Sequence, residues 1–516
     1  MEDVKSILLN DISFDEDFYP RKEVNQKKVN EYIEALKAGK VFPPIRLQSV
    51  VYPDGNKLAL IDGAHRITAY KQFNKWLAST SSDEEKIEAS KIIENVPYVL
   101  HSDRVYSKDV PHDTSELLLI AAKYNSEHGY QMSNEDKQRT ARAIYTLEPN
   151  QVDAEVAKVL GVPRSTLNDW VRDIKQKHTA SQEAIITRLN LLGWAQENIG
   201  EVVGLTQQGV ALNIQEMTKS AKLVQSLKDL TDRGKSVDEA SEALEIDRVL
   251  AWALLLKEDD DINKLARLTD KNKGLDCKPR PYDVWNFGNS YPLFGTADYP
   301  GQIPGQIILQ LLYFFTNQGD MVVDPMAGGG TTIDACLIMG RRCLAFDSEP
   351  TACKARVDIK EKDAIAAIEG LTRKPDMIFL DSPYFKKMDK EYGDNSISKL
   401  TREAYLDFFS KLAQASRAKL EKGSRVALLM SDYTIYPPDK NPDGSDLTPR
   451  QKEELLKEEI FIDQYITRFE KEGFRAERII SCPLSTDQIH ADVVNKFRES
   501  KKLARLTRYL VIFNAT

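Results

Sequence analysis

The stretch that predicts the fold is Val322-Val323-Asp324-Pro325-Met326-Ala327-Gly328-Gly329-Gly330-Thr331-Thr332. The apolar run that begins at Met321 predicts a buried strand, and Thr331 to Met339 predicts a helix closed by Gly340. A strand, a glycine turn and a helix in this order form a ligand-binding corner of an α/β sheet, because ligands bind beyond the carboxyl ends of the strands. Glycine lets the backbone approach a ligand that a Cβ would block. A tight turn without a ligand is the alternative that this stretch alone leaves open.

Two further predicted strands end in acids. Cys343 to Asp347 is the first, and its acid follows the glycine turn at close to the ~20-residue spacing of ribose-binding acids in dinucleotide folds. Asp376 to Leu380 is the second, and it runs into Asp381-Ser382-Pro383-Tyr384. An acid, a proline and an aromatic residue at a strand end in the same sheet predict a second site beside the first.

These two motifs together resemble those of the amino-group DNA methyltransferases, which methylate N6 of adenine or N4 of cytosine. The family's catalytic motif is an acid or Asn (Ser in some), two prolines and an aromatic residue, and this chain has Ser382 where the first proline is usual. The resemblance covers roughly residues 285–516 and implies a Rossmann-like α/β domain with S-adenosylmethionine as cofactor. The implied cofactor-binding residues are Asp324, Pro325, Ala327, Gly328, Gly330, Thr331, Thr332 and Asp347. The implied catalytic residues are Asp381, Ser382, Pro383 and Tyr384.

The catalytic motif suits an exocyclic amino group, which is a poor nucleophile because its lone pair is delocalised into the base. Asp381 can accept one amino hydrogen and the backbone carbonyl of Ser382 the other, while Tyr384 offers a stacking face for a base that has left the duplex. A C5-cytosine mechanism would need a thiolate in a Pro-Cys step. Cys482 precedes its proline, so we predict a buried structural cysteine, and we expect His490 to pack or hydrogen-bond rather than to act as a base.

The composition is that of a multidomain chain. Its 516 residues predict two to four domains, and 41% hydrophobic and 29% charged residues are ordinary for a soluble protein. No apolar run approaches the ~20 residues of a membrane span, and the start is not that of a signal peptide. Five scattered cysteines argue against a metal site and for a cytoplasmic location. Because the net charge is −8, DNA contact would need local basic faces.

Residues 10–110 predict a small α/β domain with a turn that suits a phosphate. Asp62-Gly63-Ala64-His65-Arg66 leads into a helix, whose N–H groups and dipole favour an anion, and Arg66 can add a charged fork. A surface turn with a solvated arginine is the alternative. Pro20-Arg21-Lys22 together with Gly63 to Arg66 is similar to the N-terminal domain of the ParB partition family, which binds CTP through the second box. The resemblance implies that Gly63, His65 and Arg66 bind CTP or another nucleotide.

Residues 152–171 have a helix-turn-helix pattern. Val156, Ala157 and Leu160 would point inward, and Gly161 permits the turn. Arg164, Ser165 and Thr166 open the second helix, where such units contact bases, and Arg164, Arg172, Lys175 and Lys177 give a basic edge for phosphates. A plain helical hairpin is the alternative, although ParB relatives also have such a unit after their first domain.

Two weaker matches to this helix-turn-helix pattern follow at 194–210 and 236–249. Gln207 and Gln208 of the first could contact adenine edges, whereas the second is acidic and predicts a spacer or a protein contact. The runs Asp259 to Asp261 and Lys271 to Gly274 predict a solvated linker.

The predicted fold class is therefore multidomain. We expect a small ParB-like α/β domain (1–115), a helix-turn-helix domain (116–180), a helical region with further units of that kind (181–270) and a Rossmann-like S-adenosylmethionine-dependent methyltransferase domain (280–516). The expected partner is double-stranded DNA, and no association with a membrane is expected. A homodimer is possible. The alternatives are a non-catalytic ParB-like partition or regulatory protein with a degenerate methyltransferase domain, and a methyltransferase that acts on RNA or on protein glutamine.

Overall fold

A computed structural model of the chain forms two compact units, residues 1–180 and 181–516. The residues that it describes are 3–79, 92–127, 132–220, 222–287, 291–296, 299, 302–349, 356–385, 396–435, 445–448, 450–451, 457–483, 494–495, 498, 501, 503 and 506–516.

The first unit contains a six-stranded sheet in the order β1-β5-β3-β4-β2, with β6 paired to β3. Its strands are β1 (Lys5–Leu8), β2 (Ile12–Ser13), β3 (Ile45–Tyr52), β4 (Gly55–Asp62), β5 (Asn95–Leu100) and β6 (Tyr106–Ser107). Among the described residues, this part also contains the helices α1 (Gln26–Lys37) and α2 (Ala64–Ser79). Strands β3 and β4 pair antiparallel as a hairpin.

The rest of the first unit is helical. Its helices are α3 (Pro111–Glu127), α4 (Asn134–Leu147), α5 (Asp153–Leu160) and the start of α6 (Arg164–Leu191). Val156, Ala157 and Leu160 are buried as predicted, in a cluster with Leu167 and Val171 of α6. Gly161 ends α5 at φ 61°, in the left-handed region that glycine adopts without strain. The two helices and the turn therefore lie where the sequence predicts them.

The second unit is built on a seven-stranded sheet in the order β14-β15-β11-β10-β7-β8-β9. Its strands are β7 (Met321–Asp324), β8 (Arg342–Asp347), β9 (Ile359–Glu361), β10 (Met377–Asp381), β11 (Arg425–Met430), β14 (Phe474–Pro483) and β15 (Thr507–Ala515). A separate pair is formed by β12 (Tyr433–Ile435) and β13 (Lys457–Glu459). The strands β7 to β11 pair parallel, and β15 runs antiparallel to both β11 and β14.

Helices of the second unit precede the sheet and connect its strands. Those before it are α7 (Gln196–Val203), α8 (Gln207–Ser220), α9 (Lys222–Asp232), α10 (Val237–Ala243), α11 (Arg248–Leu255) and α12 (Asp261–Leu268). Those within it are α13 (Gly305–Phe315), α14 (Thr331–Met339), α15 (Ala364–Glu369), α16 (Arg402–Lys419) and α17 (Ile462–Lys471).

The helical region of 181–270 shares one hydrophobic core with the sheet. Leu189 of α6 and Val249 of α11 belong to the same buried cluster as Ile333 and Leu337 of α14. Helix α11, which begins in the acidic segment 236–249, packs directly against α14. The protein contact predicted for this segment is therefore a contact within the chain.

The linker predicted at Asp259 to Asp261 is wrong. Asp260 caps α12, because its Oδ1 accepts the Asn263 N–H at 2.9 Å. Asp261 binds the fully buried Arg341, with distances of 2.7 and 2.8 Å between the guanidinium nitrogens and the carboxylate oxygens. A buried guanidinium needs such a partner, so one acid of this run, Asp261, is partly buried in an ion pair, while Asp260 stays exposed at the start of the helix.

Within the described residues, no helix combines the length and the apolar character that crossing a membrane requires.

Candidate active site

The site lies at the point of the sheet where the strand order reverses. From β7 the chain continues to β8 and β9 on one side, and β10 and β11 lie on the other. Such a switch point opens a crevice beyond the carboxyl ends of the parallel strands. Three neighbouring strands end there in a carboxylate, Asp324 of β7, Asp347 of β8 and Asp381 of β10. The sheet thus brings the two predicted sites to one edge.

Asp324 is the most buried of the three acids, with 2% of its surface exposed. One carboxylate oxygen accepts the Met326 N–H at 3.1 Å, and Thr332 also hydrogen-bonds to the carboxylate. Burial raises the pKa of Asp324 to about 7, the two hydrogen bonds oppose that rise, and the charges of Asp381 and Asp347 add to it. A cation at this edge would favour the ionised form of Asp324.

Asp347 joins the glycine turn to the end of β8. Its Oδ2 accepts the Gly328 N–H at 2.7 Å, and its Oδ1 accepts the Glu349 N–H at 2.8 Å. The Ala327 N–H donates to the Phe346 carbonyl at 2.9 Å beside it. Burial raises the pKa of Asp347. The predicted contact of Asp347 with a ribose stays a prediction, while its contacts with the protein backbone fix the turn.

The glycines of the turn face side chains of the chain itself. Gly328 and Gly330 have φ of 50° and 83°, and a Cβ there would lie 2.7 Å from Cε1 of Tyr299 and 2.5 Å from Nη1 of Arg356. The prediction that these glycines make room for a ligand stays a prediction. Both also allow close approach of a side chain, so their replacement would disturb the protein before any ligand binds.

The other predicted cofactor residues form the floor of this turn. Pro325, Ala327, Thr331 and Thr332 are all buried between β7 and the first turn of α14. Together with Asp324, Asp347 and the glycines, the eight predicted residues surround the carboxyl ends of β7 and β8.

The predicted catalytic turn follows β10 directly. The Tyr384 hydroxyl donates to Oδ1 of Asp381 at 3.2 Å, and both residues are partly buried. Ser382 is 3% exposed. The Pro383 carbonyl accepts a hydrogen bond from the Tyr405 hydroxyl at 3.3 Å. The turn therefore places the acid and the aromatic ring in contact at the edge that carries the other two carboxylates.

A buried ionic network beneath the glycine turn was not predicted. Oδ1 of Asp334, in α14, accepts hydrogen bonds from Nη2 of Arg356 and from Nη2 of Arg188, each at 2.6 Å. Oδ2 of Asp334 accepts the Gly295 N–H at 2.7 Å. Asp358 binds the same two arginines, with distances of 2.8 Å to Arg188 and 2.9 Å to Arg356. These guanidinium groups hold the pKa of Asp358 well below its usual range although burial opposes that effect. The one signal in the sequence is an acid inside the otherwise apolar helix α14.

The network reaches the glycine turn through two backbone contacts. Arg356 Nη1 donates to the Gly329 carbonyl at 3.1 Å, and the Thr296 N–H donates to the same oxygen at 2.7 Å. Arg188 lies near the end of α6, so the helices before the sheet contribute directly to the shape of the turn.

The predicted nucleotide box of the first unit lines a cavity of about 440 Å³. Gly63, His65 and Arg66 belong to its wall, as do Arg21, Lys28 and Arg46. The alternative of a solvated arginine is wrong, because the Arg66 guanidinium binds Asp62 at 2.6 Å and the carbonyls of Pro43 and Pro44 at 2.8 and 2.9 Å. The contact of Arg66 with a nucleotide stays a prediction.

His65 is occupied by the protein as well. Its Nε2 accepts the Asn25 N–H at 3.1 Å, and burial lowers the pKa of His65, so the ring is neutral near pH 7. The positive charge of this cavity therefore comes mainly from residues outside the predicted box.

The predicted DNA-contacting residues lie at the start of α6. Arg164 and Ser165 are exposed and Thr166 is partly buried. Arg172 forms an ion pair with Asp169, and Lys175 binds Asp153 at 2.7 Å. Two of the four cations of the predicted basic edge, Arg172 and Lys175, thus already have an acidic partner.

Two remaining predictions concern single residues. Cys482 is buried, and burial raises the pKa of its thiol to about 12, in agreement with a structural role. His490 lies outside the described residues, as do most of the polar loops after Tyr384 and Ile435.

A family model described as DNA methylase matches residues 2–358, more than half of the chain. The matched range includes the glycine turn and Asp347 and ends before Asp381. None of the curated proteins compared with the chain matches it.

Similar solved structures include TrmN from Thermus thermophilus, with 14% identity over 42% of this chain and a TM-score of 0.25; the chain spans 50% of TrmN's length. A SAM dependent methyltransferase from Archaeoglobus fulgidus has 14% identity over 41% of this chain and 92% of its own, with a TM-score of 0.25. An rRNA methylase from Streptococcus thermophilus has 14% identity over 42% of this chain and 97% of its own, with a TM-score of 0.24. Similarities of this size do not establish a function.

Proposed function

The chain belongs to the DNA methylase family, and from this membership we propose that it transfers a methyl group from S-adenosylmethionine to the exocyclic amino group of adenine (N6) or cytosine (N4) in DNA. The observation that carries the proposal is the set of three carboxylates, Asp324, Asp347 and Asp381, at the switch point of the sheet. Three acids at one edge repel one another, and a cationic ligand relieves that repulsion.

The donor set of the site fits S-adenosylmethionine. This cofactor supplies, when bound, a methyl group on a positively charged sulfur that a nitrogen nucleophile can accept. Asp324 lies at the end of β7, where its carboxylate can balance a positive charge. Asp347 fixes the glycine turn through Gly328 and presents its carboxylate at the end of β8, where ribose hydroxyls could donate to it.

Asp381 and Ser382 suit the nucleophile. An amino group that donates one hydrogen bond to the Asp381 carboxylate and one to the Ser382 carbonyl regains electron density on nitrogen. As the new N–C bond forms, the nitrogen becomes acidic, and the Asp381 carboxylate is positioned to accept its proton. Because the second acceptor is a backbone carbonyl, a serine at 382 preserves it.

Tyr384 completes the pocket for the base. Its ring offers a face for stacking, and its hydroxyl contact with Asp381 at 3.2 Å fixes the ring beside the acid. The base must leave the duplex to reach this turn, which costs a few kcal/mol.

We also propose that α5 and the start of α6 contact duplex DNA. The exposed positions of Arg164 and Ser165 at the first turn of α6 support this role, because that end of the second helix faces base edges in helix-turn-helix proteins.

A nucleotide such as CTP is our proposal for the cavity of the first unit. Its support is the cavity's size, its cationic wall of Arg21, Lys28 and Arg46, and the start of α2 after Gly63.

Equilibrium dialysis of the full chain with CTP and with ATP tests this. Lys28→Met should weaken nucleotide binding several-fold, because Lys28 lines the cavity and its positive charge is lost. Lys28 also forms an ion pair with Glu31 at 2.8 Å. Lys37→Met is the matched control, since Lys37 forms the equivalent pair with Glu34 at 2.9 Å on the same helix and does not line the cavity. Absence of binding by wild type would refute the nucleotide site.

The methyl transfer is tested with the full chain and labelled S-adenosylmethionine. Plasmid DNA, total RNA and a protein mixture are the acceptors, and the DNA is digested to nucleosides. We expect label in N6-methyladenine or N4-methylcytosine. Label found only in RNA or only in protein would show that DNA is not the substrate. Label in none of the three acceptors would favour a non-catalytic protein.

A further inference from the structure

Two buried tyrosine hydroxyls lie directly behind the catalytic turn. Tyr405 of α16 and Tyr465 of α17 are each 1% exposed. The Tyr465 hydroxyl donates to the Tyr405 hydroxyl at 3.1 Å, and the Tyr405 hydroxyl donates to the Pro383 carbonyl at 3.3 Å. The three groups form a directed chain of hydrogen bonds that ends on the backbone of the turn.

The surroundings of this chain are aromatic. The Tyr405 ring has centroid distances of 5.3 Å to Phe385, 5.2 Å to Phe409 and 5.7 Å to Phe461. A phenylalanine would pack equally well at position 405, and a hydroxyl is costly in such a place unless it forms hydrogen bonds. Burial also raises the pKa of Tyr405 to about 12, so its hydroxyl keeps the proton that it donates.

The accepting carbonyl belongs to the peptide that joins Pro383 to Tyr384. A hydrogen bond to it restricts rotation of that peptide and thereby the direction in which the Tyr384 side chain leaves the backbone. Tyr384 in turn contacts the Asp381 carboxylate at 3.2 Å. Helices α16 and α17 are therefore linked to the acid at the end of β10 by two sets of hydrogen bonds, which the Pro383–Tyr384 backbone joins.

Ser382 explains why the turn needs this support. A proline at this position would fix its own φ, whereas serine leaves the bond free, and Pro383 restricts residue 382 only indirectly. The Ser382 hydroxyl is buried near the Tyr405 hydroxyl and slightly opposes the rise in the pKa of Tyr405. Among the residues that the structure describes, however, the Ser382 hydroxyl has no hydrogen-bond partner in good geometry. The Pro383 ring and the Tyr405 contact therefore supply restraint that the Ser382 side chain does not.

We propose that Tyr405 and Tyr465 are positioning residues that fix the turn 381–384 in place of a proline at position 382. The proposal rests on the methyl transfer proposed above and names what orients its acceptor groups. In this proposal the two buried tyrosines act through the turn rather than on substrate or cofactor. Their effect is on the fraction of time that Asp381, the Ser382 carbonyl and Tyr384 spend in the geometry that accepts an amino group.

The test measures single-turnover methyl transfer to DNA by the full chain, with the dissociation constants of S-adenosylmethionine and DNA. Tyr405→Phe should slow transfer about tenfold and change both dissociation constants less than about twofold. Tyr465→Phe removes the outer donor only, so we expect a smaller loss. In a Ser382→Pro background, where the proline ring fixes φ, Tyr405→Phe should cost less than about threefold.

Phe409→Leu is the control for packing, because Phe409 contacts the Tyr405 ring without a hydroxyl. Its thermal unfolding midpoint should fall at least as far as that of Tyr405→Phe, with a smaller loss of rate. If Ser382→Pro does not fold, the proposal is tested by comparing the transfer rates of Tyr405→Phe and Phe409→Leu at temperatures where the two variants are equally stable. A larger loss for the hydroxyl deletion supports the proposal.

Two results would overturn the proposal while leaving methyl transfer intact. One is wild-type rate in Tyr405→Phe, and the other is an equal loss for that change in the wild-type and Ser382→Pro backgrounds. A wild-type chain that transfers no methyl group to DNA would instead refute the proposed function, and this inference with it.

Discussion

At the scale of single residues, Asp324 shows how burial and charge combine at the site. Its carboxylate is 2% exposed and lies near two other acids, so its pKa rises to about 7. Because folding raises this pKa, the protonated form is the one that folding stabilises. The contribution of Asp324 to stability is therefore fully present at low pH and is lost as the pH rises through about 7.

The first prediction concerns the affinity for S-adenosylmethionine. If the cationic cofactor binds only ionised Asp324, its affinity should rise roughly eightfold between pH 6 and pH 7.5, given a pKa of about 7. Calorimetry at the two pH values measures this. Asp324→Asn is the control and should bind weakly with little dependence on pH. Equal affinity of wild type at both values would exclude a direct role for this ionisation.

At the scale of helices and strands, the ionic network joins the end of α6 to the turn before α14. Arg188 and Arg356 share Asp334 and Asp358, and all four side chains are at most 12% exposed. A buried ion pair costs desolvation on both sides, so removing one partner leaves an uncompensated charge. The helices before the sheet are in this way joined to the glycine turn by buried ion pairs.

The second prediction is therefore that Arg188→Met destabilises the second unit by about 3–5 kcal/mol, because two buried carboxylates lose a shared cation. Affinity for S-adenosylmethionine should also fall, since Asp334 fixes Gly295 beside the glycine turn. Denaturant unfolding and calorimetry measure the two effects.

Arg267→Met is the control for Arg188→Met. Arg267 pairs with Asp259 at 2.9 Å with 49% of its side chain exposed, so its loss should cost less than about 1 kcal/mol. An Arg188→Met protein as stable as this control would contradict the importance of the network.

The sequence predicts the elements of the sheet well and their long-range pairing poorly. The strands ending at Asp324, Asp347 and Asp381 follow from apolar runs that stop at acids, and Gly340 marks the end of α14 at φ 72°. Arg188 and Arg341 have no local signal, because their acidic partners lie far away in the chain. Arg356 pairs with the nearby Asp358, but its contact with Asp334 spans 22 residues and has no local signal. The acidic run at Asp259 to Asp261 misled for the same reason.

At the scale of the whole molecule, the chain combines two compact units of different composition. The first contains a sheet, a cationic cavity and the helix-turn-helix pattern. The second contains the switch point with its three carboxylates and the helices that pack against it. We infer that DNA contact and methyl transfer reside largely in different units of one chain.

The third prediction tests this division. Arg164→Ala should weaken binding of duplex DNA several-fold and leave the affinity for S-adenosylmethionine unchanged. If Arg164 contacts a phosphate, the slope of log affinity against log salt should fall by about 1, whereas a base contact should leave the slope unchanged. Lys40→Ala is the charge-matched control. Unchanged DNA binding at every salt concentration would place the DNA contact elsewhere, most simply at Gln207 and Gln208.

The central claim is that Asp381 is the acceptor for the target amino group, and Asp381→Ala tests it most directly. The substitution removes the carboxylate and leaves the glycine turn, Asp347 and the ionic network in place. Loss of a transition-state interaction of about 3–4 kcal/mol lowers the rate by about 10² to 10³. We predict such a fall in single-turnover transfer to DNA, with the dissociation constants of S-adenosylmethionine and DNA within about threefold of wild type. An Asp381→Ala protein that methylates DNA at the wild-type rate would contradict the account.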